Sequence, residues 1–533
     1  MKSLRLGLTQ ICVGIVTLCL AGTVSAQQAT PTPKRGGTVV WVIASEPSVI
    51  NPVTTTATPE TNVSCNLFEG LVVLNVKTNK FEPLLAESWT ISPDGKTYTF
   101  KLRKTNWHDG RPFTSEDVRY TVADVMVKVG PLFAAQVGKL VEAVETPDLQ
   151  TAVIRLKEAY GPLLLTLTCA FNGAMIPSHL FKDTDVRANP VNQKPVGTGP
   201  FKFQDWARGD HITLVRNENY WDAGKPYLDS VVMKIIPNGA SRTQALLAGE
   251  VDYIPFTAFP INDGKLIDTN PKTKREATGL PSSQLFGFFN LKRKPLDDVR
   301  VRHALLTATD RNYIRDNAFF GLGRPGQSPW ATLIEWAHDP AINYDESHPF
   351  NPEKAGQMLE EAGYKADASG IRFSINIVYD AARPEQNQTA SALKAMWRRA
   401  GVDLQLVALE AAVLLPRVHK DSNFDFHISA YSSYADPAIG IGRSYISSTI
   451  GGNFGNAASY SNSEVDALFN KASALTTLEE RGAVYKQIEV ILMRDLPAIM
   501  VHENVGLDAA NKKLVGGWGW SGNLRAGNAW LEP

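Results

Sequence analysis

Residues 85–118 read LAESWTISPDGKTYTFKLRKTNWHDGRPFTSEDV. Within this stretch Tyr98, Phe100 and Leu102 alternate with polar or charged residues. That alternation predicts a β-strand with one buried face and one face in water. Pro93-Asp94-Gly95 lies just before it and predicts a tight turn.

A helix is predicted to begin at the end of the same stretch, and further strands and helices are predicted along the chain. Thr114 with Asp117 matches a capping box, which opens a helix. Later, residues 373–379 predict a strand, residues 384–400 a helix and residues 402–409 a second strand, with short connections between them. Strand, helix and strand in this order predict a parallel βαβ unit and therefore an α/β fold.

Length and composition restrict the class of protein. The chain has 533 residues, more than one hydrophobic core normally serves, so we expect two or three lobes. A hydrophobic fraction of 44%, a charged fraction of 20% and a mean hydropathy of -0.15 exclude a mostly disordered chain and a multi-span membrane protein. Lys+Arg 54 against Asp+Glu 54 leaves no basic excess, so we expect no nucleic-acid partner.

The N-terminus predicts export. Two positive charges within the first five residues precede an apolar run that ends at residue 20, and Val24-Ser25-Ala26 follows. Because that run is shorter than a membrane span and ends in small residues, we expect a signal peptide cleaved after Ala26. Of the four cysteines, only Cys65 and Cys169 would remain, either as one disulfide or as two separate buried thiols.

Motifs for chemistry are weak or missing in the sequence. Residues 321–326 match GxGxxG by letters, but Pro325 lies inside the motif and predicts a loop in place of a helix start. Residues 391–394 match SxxK in the middle of an amphipathic helix, without the other motifs of penicillin-recognising enzymes. The nine histidines contain no HExxH and no pair at i, i+4. We therefore predict no catalytic residues, no metal site and no cofactor.

The stretch 85–118 closely resembles the signature of the family 5 extracellular solute-binding proteins, the dipeptide, oligopeptide, nickel and opine receptors of ABC importers. Further matches occur in order at residues 197–201, 216–221, 290–311, 362–364 and 460–462, so the resemblance covers nearly the whole mature chain. It implies an α/β bilobal periplasmic-binding-protein type II fold (cluster C) with an extra inserted domain. It also implies a monomer in the periplasm that hands a small-molecule ligand to an ABC permease in the inner membrane.

The resemblance also implies domain boundaries and a mechanism. Two hinge strands would join the lobes, and closure would bury the ligand without covalent chemistry. The implied segments are a signal peptide at 1–26, lobe 1 at 27–74, 198–300 and 501–533, the inserted domain at 75–197, and lobe 2 at 301–500.

One departure from the family concerns the ligand. In the peptide-binding members an aspartate grips the ammonium group of the ligand, and alignment on Pro437 puts Ser433 at that place. A hydroxyl cannot neutralise a buried ammonium, so ordinary peptide binding through a free N-terminus is put in doubt. Asp436 or Glu46 could supply the missing charge, although turn and capping roles are more usual for such positions.

Other candidates suit a carboxylate or a polar ligand. Arg383 stands before Pro384 as in dipeptide receptors, where the arginine can meet a ligand carboxylate, and Arg443 is a second cation. A solvated arginine at the start of a helix is an equal alternative for Arg383. Hydroxyl groups or an amide that face the expected cleft complete the set: Tyr431, Ser432, Ser433, Tyr434 and Asn66.

These residues favour an opine, a modified amino acid or a sugar conjugate with a carboxylate as the ligand. A di/oligopeptide receptor is the alternative within the same class. An exported hydrolase on a related α/β scaffold is the alternative from a different class, and turnover of a bound compound would distinguish it.

Overall fold

The structure is a computed structural model that describes residues 32–281, 283–432, 434–452, 454–517 and 525–532, without the side chains of 279–281. The predicted signal peptide lies outside these residues. The strands are β1 (Thr38–Ile43), β2 (Val72–Asn75), β3 (Lys80–Pro83), β4 (Ala86–Ile91), β5 (Thr97–Leu102), β6 (Val141–Asp148), β7 (Thr151–Leu156), β8 (Phe201–Ala207), β9 (His211–Arg216), β10 (Ser230–Ile235), β11 (Tyr253–Ile254), β12 (Thr273–Pro281), β13 (Ser283–Phe289), β14 (Arg324–Pro325), β15 (Phe373–Asp380), β16 (Val402–Leu409), β17 (Phe426–Ser432), β18 (Ala498–Glu503), β19 (Val505–Asn511), β20 (Leu514–Gly516) and β21 (Ala529–Leu531).

Helices cover the sheets and connect their strands. The α-helices are α1 (Thr58–Leu67), α2 (Ser115–Arg119), α3 (Val127–Val129), α4 (Pro131–Phe133), α5 (Leu163–Thr166), α6 (Ser178–Phe181), α7 (Gly239–Ala248), α8 (Gly264–Thr269), α9 (Val299–Thr307), α10 (Arg311–Ala318), α11 (Tyr344–Ser347), α12 (Pro352–Glu361), α13 (Pro384–Arg399), α14 (Ala411–Leu415), α15 (Ser463–Ala474) and α16 (Leu478–Asp495). Lys34–Pro533 form one compact unit, to which all these elements belong. The described part of the chain contains no helix that is both long and apolar enough to cross a membrane.

Three larger sheets organise the chain. A seven-stranded sheet has the order β12-β19-β11-β1-β10-β9-β8, and a six-stranded sheet has the order β14-β18-β13-β17-β15-β16. A four-stranded sheet, β4-β5-β7-β6, lies in the segment 75–197 that the sequence assigns to an inserted domain. Strand β1 pairs in parallel with β10 and β11, and β15 pairs in parallel with β16 and β17, as an α/β fold requires.

The chain passes between the seven- and six-stranded sheets at two neighbouring points. Strand β12 ends at Pro281 and β13 begins at Ser283, while β18 ends at Glu503 and β19 begins at Val505. On one side β12 pairs with β19, and on the other β13 pairs with β18, so the two crossings run side by side. The two hinge strands that the family resemblance implies would lie at these crossings. The first crossing lies between Pro281 and Ser283 and the second between Glu503 and Val505, whereas the sequence placed the lobe boundaries at 300 and 500. Strand β13 belongs to the six-stranded sheet because it pairs with β17 and β18.

Local predictions from the sequence are confirmed. Tyr98, Phe100 and Leu102 are buried in β5, and Lys101 between them is exposed. The capping box is present, with the Asp117 carboxylate accepting the N–H of Thr114 over 2.9 Å. The predicted βαβ unit is β15, α13 and β16. No helix begins within residues 321–326, but Arg324–Pro325 form the short strand β14 at the edge of the six-stranded sheet, where the sequence predicted only a loop.

One hydrophobic core joins the four-stranded domain to the seven-stranded sheet. It contains Trp41 from β1 and Phe100 from β5, both fully buried. A disulfide between Cys65 and Cys169, with an S–S distance of 2.02 Å, links α1 to the short 3-10 helix Cys169–Phe171. The six-stranded sheet has separate cores on its two faces. The fold is therefore the predicted α/β bilobal type with an inserted domain, and that domain shares its core with the first lobe.

Candidate functional site

The two crossings mark the edge at which the seven- and six-stranded sheets meet. Strand β11 runs antiparallel to β19, with Ile254 opposite Ala509, so its carboxyl end lies toward Val505 at the second crossing. Because β1 and β10 run parallel to β11, their carboxyl ends lie at the same edge. On the other sheet, Ser432 at the end of β17 pairs with Ser283, the first residue after the first crossing.

Strand β15 runs parallel to β17, so the turn that carries Arg383 lies at the same edge as Ser432. The carboxyl ends of the parallel strands of both sheets therefore point toward the crossings. Ligands of α/β proteins bind outside the carboxyl ends of such strands. This edge is our candidate site, and its central part is the 431–443 segment, in which Ser433 lies outside the described residues.

Tyr431 and Arg443 are brought together at the two ends of that segment. The Tyr431 ring is 2% exposed and packs on Phe288, with 5.0 Å between the ring centroids. The guanidinium carbon of Arg443 lies 5.9 Å from the Tyr431 ring and 6.0 Å from the Phe454 ring. The Tyr431 hydroxyl and the Arg443 Nε are buried, and neither has a hydrogen-bond partner among the described residues.

The surroundings leave the charge of Arg443 uncompensated. Burial and the charge of Arg443 lower the pKa of His419 to about 4, so this imidazole is neutral at physiological pH. Burial raises the pKa of Tyr431, which keeps its phenol protonated. Within the described residues Arg443 takes part in no ion pair. The arrangement offers a guanidinium and a hydroxyl to an anionic group.

Asp436, in contrast, has its charge matched within the protein. Its two carboxylate oxygens accept from Arg481, at 2.5 Å from Nη1 and 2.7 Å from Nη2. The side chains are 5% and 3% exposed. Asp436 also accepts the N–H of Ala438 over 3.0 Å, so it shapes the turn. A ligand ammonium would have to compete with Arg481 for this carboxylate.

Arg383 and Glu46 lie at the same edge but differ in their partners. Arg383 precedes α13 with 64% of its side chain exposed, and its Nε is 3.8 Å from the Asp380 carboxylate. The Glu46 carboxylate accepts from the indole of Trp206 over 3.0 Å and lies 3.6 Å from Arg208. Each of the two therefore has an opposite charge nearby, but Arg383 is the more exposed and can be reached by an incoming anion.

The remaining candidates contribute to local structure. Asn66 is buried in α1 and donates to the carbonyl of Asn62 over 2.9 Å. Ser432 belongs to the edge of β17 and pairs with Ser283. Tyr434 has a left-handed backbone with φ +47°, and its ring packs against Phe171 with 5.2 Å between the centroids.

Sequence reasoning missed a carboxyl group on the seven-stranded side. Asp508 in β19 is buried and accepts the N–H of Phe256, the second residue after β11, over 2.7 Å. Burial raises its pKa to about 7, although a hydrogen bond from Tyr253 acts in the opposite direction. No motif marks Asp508, because its surroundings come from strands far apart in sequence. His419 and Phe454 were missed for the same reason. Among the described residues no three His, Cys, Asp or Glu side chains gather as a metal site.

Comparison with known proteins identifies a matching family, and similar proteins in it have different ligands. The model of the bacterial extracellular solute-binding proteins, family 5 middle region, matches residues 80–453. Heme-binding protein A of Haemophilus influenzae is 32% identical over 516 residues, covering 92% of this chain and 92% of that protein.

Solved structures that are 25% identical to this chain include two with different ligands. The PBP AgaA from A. tumefaciens R10, in complex with agropinic acid, gives a TM-score of 0.72 over 93% of this chain and 99% of AgaA. The oligopeptide-binding protein AppA from Bacillus subtilis, in complex with a nonapeptide, gives a TM-score of 0.72 over 94% of this chain and 100% of AppA. Similar proteins therefore carry different ligands.

Proposed function

Because the chain belongs to family 5 of the bacterial extracellular solute-binding proteins, we propose that it captures a small carboxylate-bearing ligand in the periplasm for an ABC importer. Proteins of this family bind small ligands and work with an ABC permease. The relatives are binding proteins and not enzymes, so we infer that the ligand is released unchanged. Residues 1–26 would be the signal that directs export.

The observation that carries the ligand proposal is the unpaired Arg443 beside Tyr431. A buried guanidinium Nε and a buried hydroxyl without partners are costly, and a carboxylate would satisfy both. Arg383 at the same edge could receive a second carboxylate. An opine, a modified amino acid or a sugar conjugate with a carboxylate fits these donors.

The acidic residues proposed from the sequence offer little to a ligand ammonium. By the family resemblance Ser433 stands where peptide receptors have an aspartate, Asp436 is paired with Arg481, and Glu46 lies beside Arg208. Binding of an ammonium here would leave its charge without a free carboxylate from this segment. This supports a conjugate over an ordinary peptide.

A di/oligopeptide receptor is the second candidate, and Asp508 favours it. This buried carboxyl lies four residues after Asn504 at the second crossing and forms no ion pair among the described residues. It could take the ammonium of a peptide on the seven-stranded side. Trialanine and N-acetyl-trialanine distinguish the two cases, since only the peptide receptor would prefer the free amine.

Capture would proceed by closure about the two crossings. Contacts from both lobes then favour the closed state over the open one by the differential affinity of the ligand. The polar groups of Arg443 and Tyr431 would meet the ligand in an environment with little water, where a hydrogen bond to a charged group is strong.

Native mass spectrometry of the full-length protein recovered from the periplasm tests the proposal. We expect a co-purified compound with at least one carboxylate, released unchanged on denaturation. A co-purified compound without a carboxylate, or a processed product in place of the bound compound, would overturn it. Protein that starts after Ala26 would support the export step, and an intact N-terminus would contradict it.

A further inference from the structure

The inserted domain touches the second lobe through two glycines. The N–H of Gly161 donates to the carbonyl of Ser473 over 2.7 Å, and a Cβ on Gly161 would lie 1.9 Å from the carbonyl oxygen of Leu475. A Cβ on Gly95 would lie 3.1 Å from Cγ2 of Thr476. The backbone of the inserted domain therefore lies directly against the turn between α15 and α16, with no space for a side chain at Gly161.

A second contact meets the 431–443 segment itself. Phe171 packs edge-on against Tyr434, with an interplanar angle of 68°. The left-handed backbone of Tyr434 is unfavourable for a residue with a Cβ, so the packing has to hold it in place. Buried apolar side chains from both sides surround the pair: Leu74, Val76, Leu165 and Ile439.

Arg481 connects the two contacts. Its Cδ would lie 3.2 Å from a Cβ on Gly161, and its guanidinium grips Asp436 in the middle of the 431–443 segment. Its Nε donates to the carbonyl of Ala472 over 3.0 Å, in the helix that ends at the Gly161 contact. A shift at Gly161 would therefore move Arg481 and, through it, Asp436.

We propose that the inserted domain positions the 431–443 segment when the two lobes close, with Gly161 and Phe171 as positioning residues. The inserted domain shares its core with the seven-stranded sheet, so it moves with the first lobe. Closure brings it onto Arg481 and Tyr434, and these two residues set the places of Asp436, Tyr431 and Arg443. The inference rests on the proposed function, because it takes the 431–443 segment as the ligand-binding part.

A cross-link tests whether this contact belongs to the closed state. In the double variant Gly95→Cys, Thr476→Cys, oxidation should form a second disulfide, and X-ray scattering should give a smaller radius of gyration than either single variant. Failure to cross-link, or a radius equal to that of the single variants, would overturn the inference. This measurement needs no ligand, so it holds even if the proposed ligand class is wrong.

Binding then tests the positioning role, with trialanine and agropinic acid as probes in calorimetry. Gly161→Ala and Phe171→Ala should each lower the affinity for the probe that the wild-type protein binds by at least tenfold. Phe171→Tyr should keep most of the wild-type affinity. Gly356→Ala in α12 is the matched control, since its Cβ meets nothing closer than 3.6 Å. Unchanged affinity in folded Gly161→Ala and Phe171→Ala would overturn the positioning role.

Discussion

Arg481 grips Asp436 through two hydrogen bonds where the second lobe meets the inserted domain. Two consequences follow from this pair. The Asp436 carboxylate is held by an internal cation, which makes it a poor acceptor for a ligand ammonium. The pair also fixes the middle of the 431–443 segment, whose two ends carry Tyr431 and Arg443. A structural ion pair thus sets the geometry of the candidate site.

Replacement of Asp436 by asparagine should destabilise the protein strongly. The substitution leaves the Arg481 charge buried without a counter-charge, and breaking a buried pair in this way costs about 3–5 kcal/mol. Urea denaturation followed by circular dichroism measures the loss. Glu353→Gln is the control, because its pair with Arg399 is exposed and should contribute less than about 1 kcal/mol. Equal stabilities of the two variants would contradict the structural role of Asp436.

The disulfide between Cys65 and Cys169 should contribute a large share of the stability. It closes a loop across a sequence separation of 104 residues, for which chain entropy predicts about 4–5 kcal/mol. The double variant Cys65→Ser, Cys169→Ser should therefore unfold at a clearly lower urea concentration. Dithiothreitol should lower the midpoint of the wild-type protein by a similar amount and leave the variant unaffected. A midpoint of the wild-type protein that does not respond to dithiothreitol would show that the bond is absent in solution.

Loss of the Arg443 charge should weaken ligand binding. A hydrogen bond to a charged group contributes about 1.5–3 kcal/mol, so Arg443→Gln should lower the affinity for the co-purified ligand about ten- to a hundredfold. Calorimetry on protein stripped of its ligand measures the change. Arg399→Gln, at the far end of α13, should bind as the wild-type protein does. An Arg443→Gln variant with wild-type affinity would remove this residue from the site.

Asp508 should make stability depend on pH. Its folded-state pKa of about 7 lies above the ordinary value of 3.8. Between these values the folded protein holds a proton that the unfolded chain releases, so the free energy of unfolding should fall as pH rises from about 4 to about 7. Asp508→Asn should lack this fall, which is ~4 kcal/mol at most. Exposed Asp205→Asn is the control. If the free energies of unfolding of wild-type protein and Asp508→Asn change with pH in parallel, the raised pKa of Asp508 is refuted.

Much of the fold could be predicted because its signals are local. The alternation around Phe100, the capping box at Asp117 and the order of β15, α13 and β16 all depend on neighbours within a few residues. The crossings could not be located in this way. The pairing of β13 with β17 and β18 joins residues more than a hundred positions apart, and no local pattern encodes such partners.

The site was predicted less completely for a related reason. The sequence selected Arg443 and Tyr431 by residue type, but it could not tell them from Asp436, whose partner Arg481 lies 45 residues away. It also missed His419, whose neutral state depends on burial and on Arg443. Tertiary contacts decide whether a charged side chain has a counter-charge. Residue type alone therefore did not distinguish charged residues without an ion-pair partner from those with one.

The central claim is that the two lobes close around a ligand that is not chemically altered. X-ray scattering of ligand-free protein before and after saturation with the co-purified compound tests it most directly. We predict a smaller radius of gyration on saturation, and recovery of the compound with its original mass. A radius that does not change on saturation, or a compound recovered in altered form, would contradict the account.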